Sequence, residues 1–126
     1  MNEAERASAQ NKKSNYNAVM DAAFVKIVVY TPKSHADVIR SALAEAGAGH
    51  VDNYDFCSFS SRGTGRFLGN EKTNPTIGKA GKYEAVEEER IEAIVPREIL
   101  AKVIEKVKSV HPYEEVAFDI YPIETL

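Results

Sequence analysis

Little in this 126-residue chain could cross-link it or hold a soft metal: it has one cysteine, Cys57, three histidines and no tryptophan. One thiol excludes an intrachain disulfide and a cysteine-rich zinc site built from a single chain. It fits a reducing compartment, so a cytoplasmic location is expected. Long apolar runs are missing as well. None approaches the roughly 20 residues that a membrane-spanning helix needs, and residues 1–23 lack the continuous apolar stretch of a signal peptide, so no membrane association is expected. Charge of one sign is also scarce. Sixteen basic and nineteen acidic side chains leave a formal net charge of −3, with no block of like charge to follow a phosphate backbone. Nucleic acid is not an expected partner.

What is present is periodicity. The length suits one domain with its own core. Residues 1–23, rich in Asn, Ser, Lys and Glu, have few side chains able to offset the entropy of ordering and are expected to be a disordered or weakly helical tail, with a short helix conceivable from Ala18 to Ala23. A single domain is expected over residues 24–126. From Phe24 to Tyr30, Val25, Ile27 and Val29 alternate with Lys26 and Val28, the period of a strand, and Pro32 closes it. Ser34 and Asp37 form a possible capping pair before the helical stripe Val38, Ile39, Ala42, Leu43 and Ala46, and Gly47 supplies a left-handed stop.

Tyr54 to Ser61 alternates again. After Arg62-Gly63-Thr64-Gly65, the run Arg66-Phe67-Leu68 is expected to return as the partner strand of a hairpin. Residues 69–82 read as loop. Glu84 to Val95 is a strand with Ile91, Ala93 and Val95 on one face, and its start, Glu87-Glu88-Glu89, reads as a solvated strand end. Pro96 opens a second helix carrying Ile99, Leu100, Val103, Ile104 and Val107, and Val116, Phe118 and Ile120 mark a last strand after His111-Pro112. Two β-α-β halves of this kind predict an α+β, ferredoxin-like split β-α-β sandwich with a hairpin or loop inserted between the halves. Helices on one face would leave Val28, Tyr30 and Ile94 as apolar patches on the other, so a homo-oligomer, dimer or trimer, is expected.

The segments Tyr54 to Gly65, Asn74-Pro75-Thr76-Ile77-Gly78, Val86 to Pro96 and above all His111-Pro112-Tyr113-Glu114-Glu115 resemble the Nif-three-like family. Val116 stands where that family usually has proline. The resemblance covers about residues 24–123 and implies a copy of the family's insert domain, similar in fold to the PII signalling and CutA divalent-cation tolerance proteins. It also implies that the family's dinuclear metal centre, which lies in flanking lobes, falls outside this chain, so its hydrolase labels do not transfer.

The His111 motif is the densest constellation, because an imidazole and two carboxylates can bind a cation or act as acid and base. Candidate ligand-binding residues are His111, Tyr113, Glu114, Glu115 and Arg66, with His111 and Glu114 as candidate metal ligands and a divalent cation as the possible cofactor. The plainer alternative is that His111-Pro112 ends the helix and launches the last strand while Tyr113 packs. Glycines 63, 65, 69, 78 and 81 with Arg62, Arg66 and nearby lysines match no phosphate fingerprint and read as a mobile hairpin and loop. Cys57 reads as a small buried hydrophobe, and His35 and His50 lack metal-ligand spacing. The expected function is a non-catalytic oligomeric module that binds a small ligand or metal. A structural protein-interaction module is the alternative, and a metal-dependent hydrolase the least favoured reading.

Overall fold

A computed structural model describes residues 2–8, 22–72 and 78–125. The apolar alternation beginning at Phe24 forms β1 (Phe24–Pro32), followed by α1 (Ala36–Glu45), β2 (Phe59–Leu68), β3 (Tyr83–Pro96), α2 (Leu100–Val110) and β4 (Phe118–Ile123). The strands make one sheet in the order β2-β3-β1-β4, and each neighbouring pair is antiparallel. β3 therefore lies between β1 and β2, and β1 between β3 and β4, which is the interleaved, ferredoxin-like split β-α-β arrangement the pattern predicted. Residues 3–8 form a short helix ahead of the domain. Of the helix expected over 18–23, residues 18–21 lie outside the described residues, and Ala22 and Ala23 are not helical.

Period two places Val25, Ile27 and Val29 of β1 beside Ile91, Ala93 and Val95 of β3, and all six are buried. α1 adds Ala36, Ile39, Ala42 and Leu43, and α2 adds Val103 and Val107. Each large aliphatic side chain removed from water in this way contributes about 1.5–3 kcal/mol.

Both helices are entered by one device. Pro32 (φ −54°, ψ 141°) leads into a 3-10 turn, Lys33–His35, and Pro96 (φ −58°, ψ 131°) into another, Arg97–Ile99. Proline fixes φ and donates no hydrogen bond, so the chain leaves each strand already turned. Ser34 and Asp37 are not the capping pair their spacing implied. Ser34 lies inside the turn with its hydroxyl on His35 Nδ1 (2.8 Å), and Asp37 pairs with Arg40; neither helix has a side-chain cap. Gly47 does end α1 in the left-handed region (φ +104°). Its N–H reaches Ala44 O (3.1 Å) while Ala48 N–H reaches Leu43 O (2.9 Å), the two hydrogen bonds of a Schellman ending.

The hairpin expected at residues 62–65 does not form. β2 runs unbroken through Arg62, Gly63, Thr64 and Gly65 and pairs along its length with β3, so the hairpin is β2–β3 itself. Of the Asn74 to Gly78 motif, residues 74–77 lie outside the described residues. Tyr54 belongs instead to a miniature hairpin with Val51, tied by two hydrogen bonds of 2.9 Å and turning through Asp52 at φ +50°.

The sheet face away from the helices is polar where apolar patches were expected. Tyr30 donates to Asp119 (3.0 Å), Arg90 pairs with Glu92 (2.9 Å), Val28 is fully buried, and Tyr30 and Ile94 are half-buried. Of the strongly exposed large apolar side chains, Phe59 shares this face, opposite Glu92, and Tyr54 and Phe56 precede it in the chain, whereas Leu68 and Tyr83 lie where the hairpin arm extends past the end of β1. Among the described residues, no helix is long and apolar enough to cross a membrane.

Gly47→Ala places a Cβ 3.0 Å from Ile99 Cδ1 at a left-handed position. A loss of about 1–2 kcal/mol is expected, read as a lower urea midpoint at unchanged slope.

Candidate functional site

The His111 motif begins as the stop of α2. His111 N–H still bonds Val107 O (3.0 Å), but its backbone is extended (φ −74°, ψ 137°), as the residue before a proline prefers. The imidazole, 8 % exposed, turns back onto β1. Nε2–H donates to the Tyr30 carbonyl (2.8 Å), and Nδ1 accepts the N–H of Tyr113 (3.1 Å). Those partners fix the neutral Nε2–H tautomer and use both ring nitrogens. Burial pushes the pKa of His111 below the ordinary 6.5, against the opposing pull of the Tyr30 carbonyl and the Glu88 charge.

Tyr113 continues the chain of contacts. Its hydroxyl donates to Glu88 Oε2 (2.8 Å), and its ring meets Phe67 edge-on at 5.9 Å between centroids. Burial, then the bond to Glu88, raises the phenol far above its usual range. Glu88 reaches this position because residue 65 is glycine: a Cβ there would lie 1.7 Å from Glu88 Oε1. The strand glycine serves a carboxylate crossing its surface, not a turn.

The other predicted site residues do not join this cluster. Glu114 and Glu115 are exposed. Arg66 is exposed on β2, and alternation puts it on the face opposite Gly65 and Phe67. The acidic run is also not a uniformly solvated end: Glu87 is exposed, Glu88 is held by Tyr113, and Glu89 accepts from Arg40 Nη1 (3.1 Å), which also donates to Ser60 Oγ (3.0 Å). Sequence reasoning missed Glu88; the available signal was a glycine on the neighbouring strand with no turn to make. Cys57 is half-buried and unbridged. His50 pairs with Asp55 (2.6 Å) on the surface, and His35 bonds Ser34. Among the described residues, no group of three or more His, Cys, Asp or Glu side chains gathers as a metal site would require.

Beside the cluster lies an open groove of about 300 Å³, lined by Tyr30, Glu88 and Arg90 and by residues 61–65 of β2. Its lining holds donors and acceptors of both signs and no nucleophile paired with a free base.

No family model matches the chain. It is 51% identical over 98 residues, 78% of its length, to the GTP cyclohydrolase 1 type 2 homolog of Halalkalibacterium halodurans. It is 46% identical over 99 residues to the protein of the same name from Bacillus subtilis. Each match occupies 26% of the relative, so the chain spans about a quarter of the length of the curated relatives it matches. Among solved structures, the Bacillus cereus protein related to NIF3 superposes with a TM-score of 0.71 at 47% identity, over 81% of this chain and 26% of that one. The periplasmic divalent cation tolerance protein CutA from Archaeoglobus fulgidus superposes at 0.58 and 23% identity, over 81% and 85%, a likeness of fold.

Because the folded state holds His111 neutral while the unfolded chain takes up a proton near pH 6.5, its contribution is complete above that value and declines as pH falls through it toward the lower folded pKa. Wild type is expected to lose more melting temperature than His111→Gln between pH 7.5 and roughly 5. At pH 8 the variant is expected to be weaker by about 1–3 kcal/mol, for the hydrogen bonds it removes. Parallel melts across the pH range read both.

Proposed function

We propose that the chain is the small CutA-like domain of Nif-three-like proteins, which it matches along about a quarter of its relatives' length, and that it is a non-catalytic, oligomeric binding module of the cytoplasm. The observation that carries this reading is the commitment of the motif's chemistry within the fold. His111 uses both nitrogens on backbone and Tyr113 uses its hydroxyl on Glu88. General acid–base catalysis needs a group within reach of a substrate proton and able to change protonation, and hydrolysis at a metal needs about three protein ligands around an open position. The motif is instead a clamp that steadies the β2–β3 hairpin beside an open groove.

Self-association is supported by β2. It is a ten-residue edge strand, largely exposed, with Phe59 at one end and Leu68 beside Tyr83 at the other. Long exposed edges with apolar side chains pair readily with another strand, and a second copy supplies one. The CutA neighbour is named for divalent-cation tolerance, and the same test reads a divalent cation, although His111, with both nitrogens engaged, has none to offer it. A second reading, a structural module that docks on another protein, is favoured by the exposed Tyr54, Phe56 and Phe59.

Native mass spectrometry of the full chain, with and without a chelator, tests the proposal. A dimer or trimer is expected at micromolar concentration, shifting to monomer in Phe59→Lys/Leu68→Lys with the fold retained by circular dichroism. A wild-type monomer that carries nothing removes the oligomer and moves the weight to the docking module. A stoichiometric ion lost to chelator assigns the cation.

A further inference from the structure

We infer that the groove on the open face of the β2–β3 hairpin is a site for a compact zwitterion, of the chemical class of the free α-amino acids, held between Arg90 and Glu88. The inference rests on the binding-module reading and adds the ligand class.

Gly63 is the first observation. It lies within β2, has no left-handed φ, and a Cβ built on it would meet nothing within 4 Å. Gly65, two residues on, is explained by Glu88, but neither conformation nor packing among the described residues explains Gly63. A glycine inside a strand weakens it, and often marks the close approach of another molecule. Here the missing side chain leaves open space in the groove.

Arg90 is the second. Its Nη2 is engaged by Glu92 (2.9 Å), while Nε is buried and meets no acceptor among the described residues. A guanidinium carries five N–H donors, so Arg90, which lines the groove and spends one nitrogen on Glu92, keeps donors for an acceptor oxygen brought there. Glu88 supplies the opposite requirement. Tyr113 occupies Oε2, and a carboxylate offers about four acceptor positions, so Glu88 can still receive an ammonium. Two residues apart on one strand, Glu88 and Arg90 project from the same face roughly 7 Å apart. A carboxylate and an ammonium joined through one carbon, with a hydrogen bond of about 3 Å at each end, span such a gap.

The same pairing sets selectivity. A phosphate or polyphosphate would gain at Arg90 but meet like charge at Glu88. The volume of about 300 Å³ is at the small end of ligand pockets, which suits a ligand of this size.

The test uses the full chain labelled with 15N, titrated with pools of the free protein amino acids and separately with inorganic phosphate, following the backbone amides of Gly63 and Gly65. Saturable shifts with at least one amino acid and none with phosphate are expected. Binding should weaken at least tenfold in Gly63→Val, which fills the groove with a strand-favouring side chain, and in Arg90→Gln. Shifts with phosphate alone, or with no amino acid, overturn the site. So does a Gly63→Val chain that loses its oligomer while wild type ignores every amino acid, because the groove is then a seam between copies. A monomer that binds an amino acid at these glycines removes the oligomer and keeps the site; an oligomer whose glycine amides stay still removes the site and keeps the oligomer.

Discussion

Pairing of β1 along both edges is the constraint on which the remaining structure depends. From Phe24 to Pro32 it is matched residue by residue to β3, and from Phe24 to Val29 also to β4. Val25, Ile27, Val28, Val29 and Thr31 are fully buried. Because side chains alternate, a slip of one residue would turn Val25, Ile27 and Val29 away from the helices and bring Lys26 and Tyr30 toward them. That penalty fixes the register of β3, and through β3 the position of β2. Glu88 stands opposite Pro32 at the end of β1, where the His111 segment folds over it.

The two halves share a way in and differ in the way out. Each helix follows a strand-ending proline and a 3-10 turn, which needs no side-chain cap. α1 then stops at a left-handed glycine, whereas α2 stops at His111-Pro112, whose imidazole fastens to the backbone of β1. The second stop therefore couples a helix end to the central strand and to the hairpin through Tyr113 and Glu88. A motif that looks like a collection of ligands is thus used largely as a joint, and the open chemistry lies next to it.

Much of this was legible in the sequence where the signal is local and repetitive. The alternations in β1, β3 and β4 and the apolar stripes of α1 and α2 report burial on one side, and they carried the split β-α-β order. The resemblance carried by the His111 motif pointed to the same fold. What escaped depends on partners distant in the chain. Gly63 and Gly65 read as a turn because glycine is conformationally free, yet β3 holds both in a strand, and Gly65 is needed by a carboxylate more than twenty positions away. Ser34 and Asp37 have capping spacing, but Pro32 moves the start of the helix past Ser34. Glu87, Glu88 and Glu89 look alike in sequence, and only the sheet sends one to Tyr113 and the next to Arg40.

The central place of β1 also opposes the order in which the chain is made. β1 leaves the ribosome first, but both of its partners, residues 88–96 and 118–123, follow much later. At about 5–20 residues per second, the Val- and Ile-rich segment waits on the order of ten seconds for its second edge to be covered. During synthesis the most buried strand of the finished domain is its most vulnerable one, and nascent-chain binding factors would be expected to concentrate on residues 24–32.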